Sequence, residues 1–250
     1  METFILILEL IGTMAFSASG AMTGIRKNMD IFGVCILGLT TAVGGGVIRD
    51  VILGNTPPAT FRNPIYATVA LIAALVLFLS QVRRVLMYST VLFDKAMFWM
   101  DTAGLAIFTV VAIRTAYACV PQATVFLLVF VGVVTGVGGG VLRDMMAGDT
   151  PYIFVKHIYA SASLAGALVC ALLWRPLGEM PAMLLGGGLV ILIRCLSIVR
   201  RPFTFRQFHM GKHCFERRIL RAAGIYAELN FFRSLPHMTD AHLFIRYAIL

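Results

Sequence analysis

The chain has 250 residues, of which 59% are hydrophobic and only 13% are charged, whereas about 25% of the residues in soluble globular domains are charged. A mean hydropathy of +0.88 therefore excludes an ordinary soluble domain. Long apolar runs without two-residue alternation exclude a membrane β-barrel, so the prediction is an all-α integral membrane protein.

Seven apolar segments are long enough to cross a hydrocarbon core of about 30 Å. The first contains Glu9 and precedes Arg26 and Lys27, so it is predicted to be a retained helix rather than a signal peptide. The predicted transmembrane helices are Phe4–Gly24, Ile31–Leu53, Pro64–Val82, Met97–Val120, Gln122–Ala147, Val155–Trp174 and Ala182–Val199.

An internal repeat organises these helices. The segment TTAVGGGVIRDVILGNTP at 40–57 recurs without a gap as VTGVGGGVLRDMMAGDTP at 134–151. Shorter matches flank it on both sides, so each repeat spans three helices. Because three is odd, the second copy enters the membrane from the opposite side, as in many transport proteins. The predicted domains are two inverted three-helix repeats at 4–82 and 97–174, a seventh transmembrane helix at 182–199, and a tail at 200–250.

Basic residues in the short connections predict the orientation. They follow the first, third, fifth and seventh helices, which predicts a cytoplasmic C-terminus and an N-terminus outside the cell. The tail has nine Lys and Arg residues against three Asp and Glu residues. A basic amphipathic helix that contacts anionic lipid is one interpretation, and an ordinary positive-inside tail is the other. No nucleic-acid-binding motif is present.

Three consecutive glycines occur late in the second and fifth predicted helices, although each costs about 1 kcal/mol relative to alanine inside a helix. One interpretation is that the helices open there and expose carbonyls that suit a cation, or N–H groups that suit an anion. The alternative is close packing of helices through small residues. Since the triplet occurs in both copies, we predict a pore or substrate pathway lined by Gly44, Gly45, Gly46, Gly138, Gly139 and Gly140.

An Arg-Asp pair follows each triplet, as Arg49-Asp50 and Arg143-Asp144. Adjacent helical positions point about 100° apart, so each Arg is expected to pair across the repeats rather than with its own Asp. These four residues are predicted pathway charges or a gate. The alternative is that they reach the interface and snorkel.

Other ionisable groups are expected at helix ends. Asp101 is expected to offset the dipole at the start of the fourth helix, and Arg114 and Arg194 to snorkel. The sequence has no motif of an enzyme, a metal site or a cofactor site. We therefore predict a nonenzymatic protein without a metal or cofactor.

The stretch GAMTGIRKNMDIFGV at 20–34 and the two glycine-rich segments resemble the bacterial membrane family whose repeat is called the glycine transporter domain, which is related to trimeric intracellular cation (TRIC) channels. The resemblance covers about residues 5–199. It implies a multi-pass protein of the bacterial inner membrane, with seven helices and a pore in each protomer of a homotrimer. Kinks at the two glycine triplets are expected to line that pore.

Three functions remain open. A monovalent-cation channel, with potassium as the expected ion, is favoured by the resemblance and by carbonyls freed at the glycines. A secondary transporter of glycine or another small amino acid is favoured by the family's domain name and the inverted repeat. A noncatalytic membrane scaffold would explain the tail but not two interrupted helices, so we predict the channel.

Overall fold

The computed structural model describes residues 2–155 and 157–199, and all regular structure in these ranges is helical. The amphipathic helix and lipid contact predicted for residues 200–250 lie outside the described residues. The helices are α1 (Glu2–Arg26), α2 (Ile31–Ile52), α3 (Ala59–Arg62), α4 (Ile65–Phe78), α5 (Ser80–Tyr88), α6 (Thr90–Cys119), α7 (Val125–Met146), α8 (Tyr152–Val155), α9 (His157–Leu177) and α10 (Glu179–Val199).

Helices α2 and α7, which contain the two glycine triplets, begin and end in the same way. The side chains of Asp30 and Thr124 each accept a backbone N–H three residues further on, at 2.7 and 3.3 Å, which is the usual N-cap. Both helices stop two residues before a glycine with a φ of +69°, Gly54 and Gly148. Glycine adopts this conformation without a steric penalty, so the sequence repeat is also a repeat of local structure.

Within residues 2–155 and 157–199, six helices are long and apolar enough to cross a membrane: α1, α2, α6, α7, α9 and α10. Helix α4 is apolar but has only 14 residues, about 21 Å at 1.5 Å per residue. The prediction extended this segment to Val82, but Leu79 leaves the helical region with a ψ of 137° and the basic helix α5 follows. The described structure is thus all-helical, with six helices that could span a membrane. Seven spans in an inverted layout stay a prediction.

The fourth predicted helix begins seven residues too late. Ser89 caps α6 by accepting the N–H of Leu92 at 3.4 Å, so the helix starts at Thr90 rather than at Met97. Asp101 therefore lies inside α6 and not at its N-terminal end. The expectation that it offsets the helix dipole is wrong.

The glycine triplets lie where α2 and α7 cross, and both helices are continuous through them. The predicted opening of the backbone is therefore wrong. A β-carbon on Gly45 would collide with the carbonyl oxygen of Thr135, and one on Gly139 would collide with that of Thr41. Glycine lets the two backbones approach closely, so packing between helices explains why these residues are tolerated.

The contacts between α2 and α7 are reciprocal, with equivalent residues of the two repeats exchanging roles. The facing pairs are Gly45 with Thr135, Thr41 with Gly139, Gly44 with Leu142, and Ile48 with Gly138. Thr41 lies opposite Gly139 and, four residues further along α2, Gly45 lies opposite Thr135, four residues earlier in α7, so the two helices are antiparallel where they cross. The inverted layout predicts this direction for α2 and α7.

The bundle has small and aromatic residues inside and large apolar residues outside. Phe16 of α1 and Phe108 of α6 stack in the interior, with ring centroids 5.4 Å apart. Phe32 and Phe126, at equivalent positions of α2 and α7, are 71% and 79% exposed. An apolar outer surface of this kind suits lipid.

Candidate functional site in two charged clusters

Each arginine of the repeated motif binds the aspartate next to it. Arg49 Nε donates to the Asp50 carboxylate at 2.8 Å, and Arg143 Nε donates to that of Asp144 at 2.9 Å. The expectation that each Arg would avoid its own Asp is therefore wrong, as is the snorkelling alternative, because all four residues are buried.

The short helices explain this pairing. The second carboxylate oxygen of Asp50 accepts the N–H of Ala59 at 2.8 Å, and that of Asp144 accepts the N–H of Tyr152 at 2.9 Å. Each aspartate is thus held by the segment that follows the Thr-Pro turn, and the adjacent arginine donates to its other oxygen. Arg-Asp and Thr-Pro together form one folded unit in each repeat.

The second cluster consists of Asp101, Arg143, Asp144, Tyr159 and Arg194. Arg143 Nη1 donates to Asp101 at 2.7 Å, and Arg194 Nη2 donates to the other oxygen of Asp101 at 2.9 Å. Tyr159 also donates to Asp101, at 3.4 Å. Two arginines therefore face two aspartates, and the buried charges are balanced.

Arg194 reaches the second cluster from α10, which lies outside the two repeats. Its guanidinium carbon is 4.6 Å from the ring centroid of Phe98 and 4.8 Å from that of Tyr159, distances typical of cation–π contacts. Its Nε also donates to Thr102 at 3.1 Å. Arg194 is 4% exposed, so the expectation that it snorkels is wrong.

The first cluster consists of Glu9, Arg49, Asp50 and Tyr66. The Tyr66 hydroxyl donates to Glu9 at 2.5 Å, which matches the role of Tyr159 toward Asp101. Within the described residues, the first cluster has no arginine equivalent to Arg194, and the ion pair of Arg49 is with Asp50.

A cavity of about 40 Å³ adjoins the first cluster. Its wall includes polar groups of α1, α2 and α4, namely Glu9, Thr13, Arg49 and Tyr66. A cavity needs at least about 10–15 Å³ to hold a water, so this one has room for water beside a carboxylate and a guanidinium.

The two clusters lie at different heights along α1. Glu9 and Thr13 line the first cavity, whereas the Ser19 hydroxyl accepts Arg143 Nη1 of the second cluster at 2.5 Å. Ten helical residues separate Glu9 from Ser19, or about 15 Å. The glycine crossing lies between the clusters, since a β-carbon on Gly139 would be 3.4 Å from Phe16.

The structure divides the six predicted pathway glycines into two groups. Gly44, Gly45, Gly138 and Gly139 lie at the crossing of α2 and α7. Gly46 lines the first cavity, and a β-carbon on Gly140 would be 2.6 Å from the Tyr159 hydroxyl. The third glycine of each triplet therefore faces a charged cluster.

The sequence prediction missed Glu9, Asp101 and Arg194 as members of these clusters. A signal for the two acids was present, because each stands three residues before a matched glycine, Gly12 or Gly104. Arg194 has no repeat partner and could not be found by this comparison. Arg114, also expected to snorkel, is instead ion-paired with two glutamates, Glu2 and Glu179, at 2.6 Å each.

Comparison with known proteins places the chain in a family. The family described as "Glycine transporter" matches residues 6–81 and 98–175. A UPF0126 membrane protein of Deinococcus radiodurans is 39% identical over 193 residues, which cover 76% of this chain and 86% of that protein. The UPF0126 inner membrane protein YadS of Escherichia coli is 33% identical over 196 residues, covering 76% and 90% of the two chains.

Solved structures with the same fold are cation channels. A prokaryotic TRIC channel is 27% identical with a TM-score of 0.73, and the match covers 80% of this chain and 98% of that channel. The TRIC trimeric intracellular cation channel orthologue of Rhodobacter sphaeroides is 32% identical with a TM-score of 0.70, covering 79% and 98% of the two chains. The chain therefore belongs to the glycine transporter family of membrane proteins and is structurally related to the TRIC channels.

Proposed function

We propose that this protein is a monovalent-cation channel of the bacterial inner membrane that conducts potassium through a pathway inside each protomer of a homotrimer. The observation that carries the proposal is the similarity to TRIC cation channels over 98% of their length in two cases. At 27–32% identity, the likeness extends beyond the general shape of the bundle.

The proposed pathway follows α2 and α7 from the first cluster, past the glycine crossing, to the second cluster. Buried charges in a membrane protein commonly mark ion pathways, and both clusters adjoin the antiparallel helix pair. The antiparallel crossing also supports an inverted repeat, in which α4 serves as a short third span and α10 as the seventh.

The six glycines have two proposed roles in this pathway. Gly46 and Gly140 lie beside the charged groups, where a small residue leaves room for water or an ion. Gly44, Gly45, Gly138 and Gly139 hold α2 and α7 together, and movement at this crossing would open the path. Arg49, Asp50, Arg143 and Asp144 fix the ends of the two helices and supply the fields that an ion meets.

Recording from the purified protein in planar bilayers and liposomes tests the channel proposal. Step-like unitary currents carried by K⁺ are expected, with a reversal potential that follows the K⁺ gradient. Slow, saturable glycine uptake without unitary current would favour the transporter, which the family description supports. If correctly folded protein shows neither activity, the noncatalytic membrane scaffold is the remaining function.

Assembly and orientation have separate tests. Native mass measurement in mild detergent is expected to give a trimer, and a stable monomer contradicts that proposal. A reporter fused after Leu250 is expected on the cytoplasmic side, and one inserted near Pro57 on the outer side. Finding both reporters on one side contradicts the inverted arrangement.

A further inference from the structure

The two clusters differ by one charge. With their carboxyl groups ionised, Asp101 and Asp144 are balanced by Arg143 and Arg194 through contacts of 2.7–2.9 Å. In the first cluster two carboxylates face a single arginine, since Glu9 and Asp50 are acidic and the basic group is Arg49. One negative charge is therefore in excess beside the cavity.

That charge has a polar cavity next to it. Glu9 and Thr13 are one turn apart on α1, and both line the cavity together with Tyr66 of α4. The Thr13 hydroxyl donates to the backbone carbonyl of Glu9 at 2.7 Å, and the Tyr66 hydroxyl donates to the Glu9 carboxylate. Because each hydroxyl proton is already used, the oxygen lone pairs remain for a ligand that accepts electron density.

Size and charge together select the class of ligand. A volume of about 40 Å³ has room for a small ion that keeps part of its hydration shell, since one water needs about 10–15 Å³. Oxygen donors and one excess negative charge favour a cation. Arg49 in the same wall opposes a second positive charge, so a monovalent ion matches the site better than a divalent one.

We propose that Glu9, Thr13 and Tyr66 form a binding site for a partly dehydrated monovalent cation. This proposal rests on the proposed channel function and adds an ion-binding site to the pathway in the first repeat. In the second cluster, Arg194 occupies the place of the cation and makes the equivalent position a permanent structural contact.

Binding is tested with K⁺ itself on the purified full-length protein. The thermal unfolding midpoint is measured by circular dichroism in KCl and in N-methyl-D-glucamine chloride at equal ionic strength, because the organic cation is too large for the cavity. At a K⁺ concentration about five times its Kd, the midpoint is expected to rise by about 2–4 °C. In Glu9→Gln, which keeps the side-chain volume, this rise is expected to disappear.

Glu2→Gln is the matched control. It removes a carboxylate from the same helix, but the Glu2 side chain is 85% exposed and does not line the cavity. The K⁺-dependent rise is expected to persist in this variant. An equal rise in Glu9→Gln and in the unmodified protein overturns the proposed site.

Glu9→Asp keeps the test informative if Glu9→Gln does not fold. It retains the charge on a shorter side chain, so a K⁺-dependent rise is expected at a higher K⁺ concentration than in the unmodified protein. An unchanged K⁺ dependence would contradict coordination by Glu9, and so would the absence of any dependence in folded Glu9→Asp.

Measurements of K⁺ flux distinguish failure of the proposed cation site from failure of the proposed channel function. In liposomes, Glu9→Gln is expected to lower K⁺ flux at low K⁺ concentration by about tenfold. If the unmodified protein conducts no cation yet shows the Glu9-dependent rise, the site stands and the channel proposal fails. If it conducts and Glu9→Gln changes neither flux nor midpoint, the channel stands and the site fails.

Discussion

The first and second clusters start from the same motif and reach different electrostatic states. In both, an arginine binds the adjacent aspartate and a tyrosine donates to an acid of the helix that opens the repeat. In the second cluster that acid is bound by two arginines, and in the first it borders a cavity. A repeated sequence therefore need not produce repeated chemistry.

The difference comes from one helix that the repeats do not contain. Helix α10 packs against α9 through a glycine contact in which a β-carbon on Gly166 would be 2.7 Å from the Gly186 carbonyl. This close approach brings Arg194 into the bundle beside Asp101. The second half is thereby a fixed anchor of the fold, and the first half keeps a cavity beside its equivalent acid, Glu9.

The largest expected effect is on the anchor. Asp101→Ala leaves Arg194 without a carboxylate and Arg143 with only Asp144, and breaking a buried ion pair costs about 3–5 kcal/mol. Glu9→Ala is expected to cost about 1 kcal/mol, because water in the cavity can replace its hydrogen bond. Denaturant titration in detergent measures both variants, and equal losses would remove the distinction between anchor and cavity.

Removing the extra arginine is expected to make the two halves alike. Arg194→Ala leaves Asp101 paired with Arg143, so the expected loss of stability is smaller, about 1–3 kcal/mol. The second cluster then has one excess negative charge and an emptied volume. Combined with Glu9→Gln, it is expected to restore a K⁺-dependent rise in the unfolding midpoint. No such rise in the folded double variant contradicts the assigned role of Arg194.

Substitutions at the glycine crossing test whether these glycines act in helix packing or contact the ion. Gly45→Ala and Gly139→Ala each direct a methyl group into a carbonyl of the facing helix, and overpacking of this kind costs about 1–3 kcal/mol. Stability and flux are expected to fall together. Gly188→Ala is the control, because nothing lies within 4 Å of its β-carbon position and alanine favours the helix. Lost flux with unchanged stability would instead indicate that the backbone there contacts the ion.

Much of the fold could be predicted from the sequence, because the lengths of the apolar segments and the internal repeat are strong signals. The continuous course of α2 and α7 could not, since helix propensity alone disfavours three glycines. What decides the outcome is a contact between segments about 90 residues apart, in which Gly45 meets Thr135 and Gly139 meets Thr41. A single sequence does not display such a contact.

The site could be predicted only in part for the same reason. The sequence brings out Arg49, Asp50, Arg143 and Asp144 because the same Arg-Asp pair recurs in α2 and α7, but it does not show the contacts of Arg143 with Ser19 and Asp101 of other helices. The sequence predicts Asp101 at a helix end because it predicts the start of α6 seven residues too late. Its true position in the interior, bound by an arginine of α10, depends on tertiary packing.

The smallest expected effect compares the third glycines, Gly140 and Gly46, which occupy equivalent positions beside the two clusters. A methyl group on Gly140 would lie 2.6 Å from the hydroxyl of buried Tyr159, so the ring must shift away from Asp101, at a cost of about 1 kcal/mol. A methyl group on Gly46 would meet Arg49 Nη2 at 3.9 Å, an ordinary contact. Gly46→Ala is therefore expected to be neutral or to stabilise α2 by about 0.5–1 kcal/mol.

K⁺ flux through Gly46→Ala and Gly140→Ala is measured on the same preparations as their free energy of unfolding. Gly46→Ala narrows the cavity beside Glu9 without loosening the fold, so it is expected to lower K⁺ flux while stability is kept. Gly140→Ala is expected to lower stability first, and its flux per folded protomer is expected to change less. The opposite result is a K⁺ flux that falls in Gly140→Ala and is unchanged in Gly46→Ala. It would place the cation site in the second cluster and contradict the roles assigned to the two clusters.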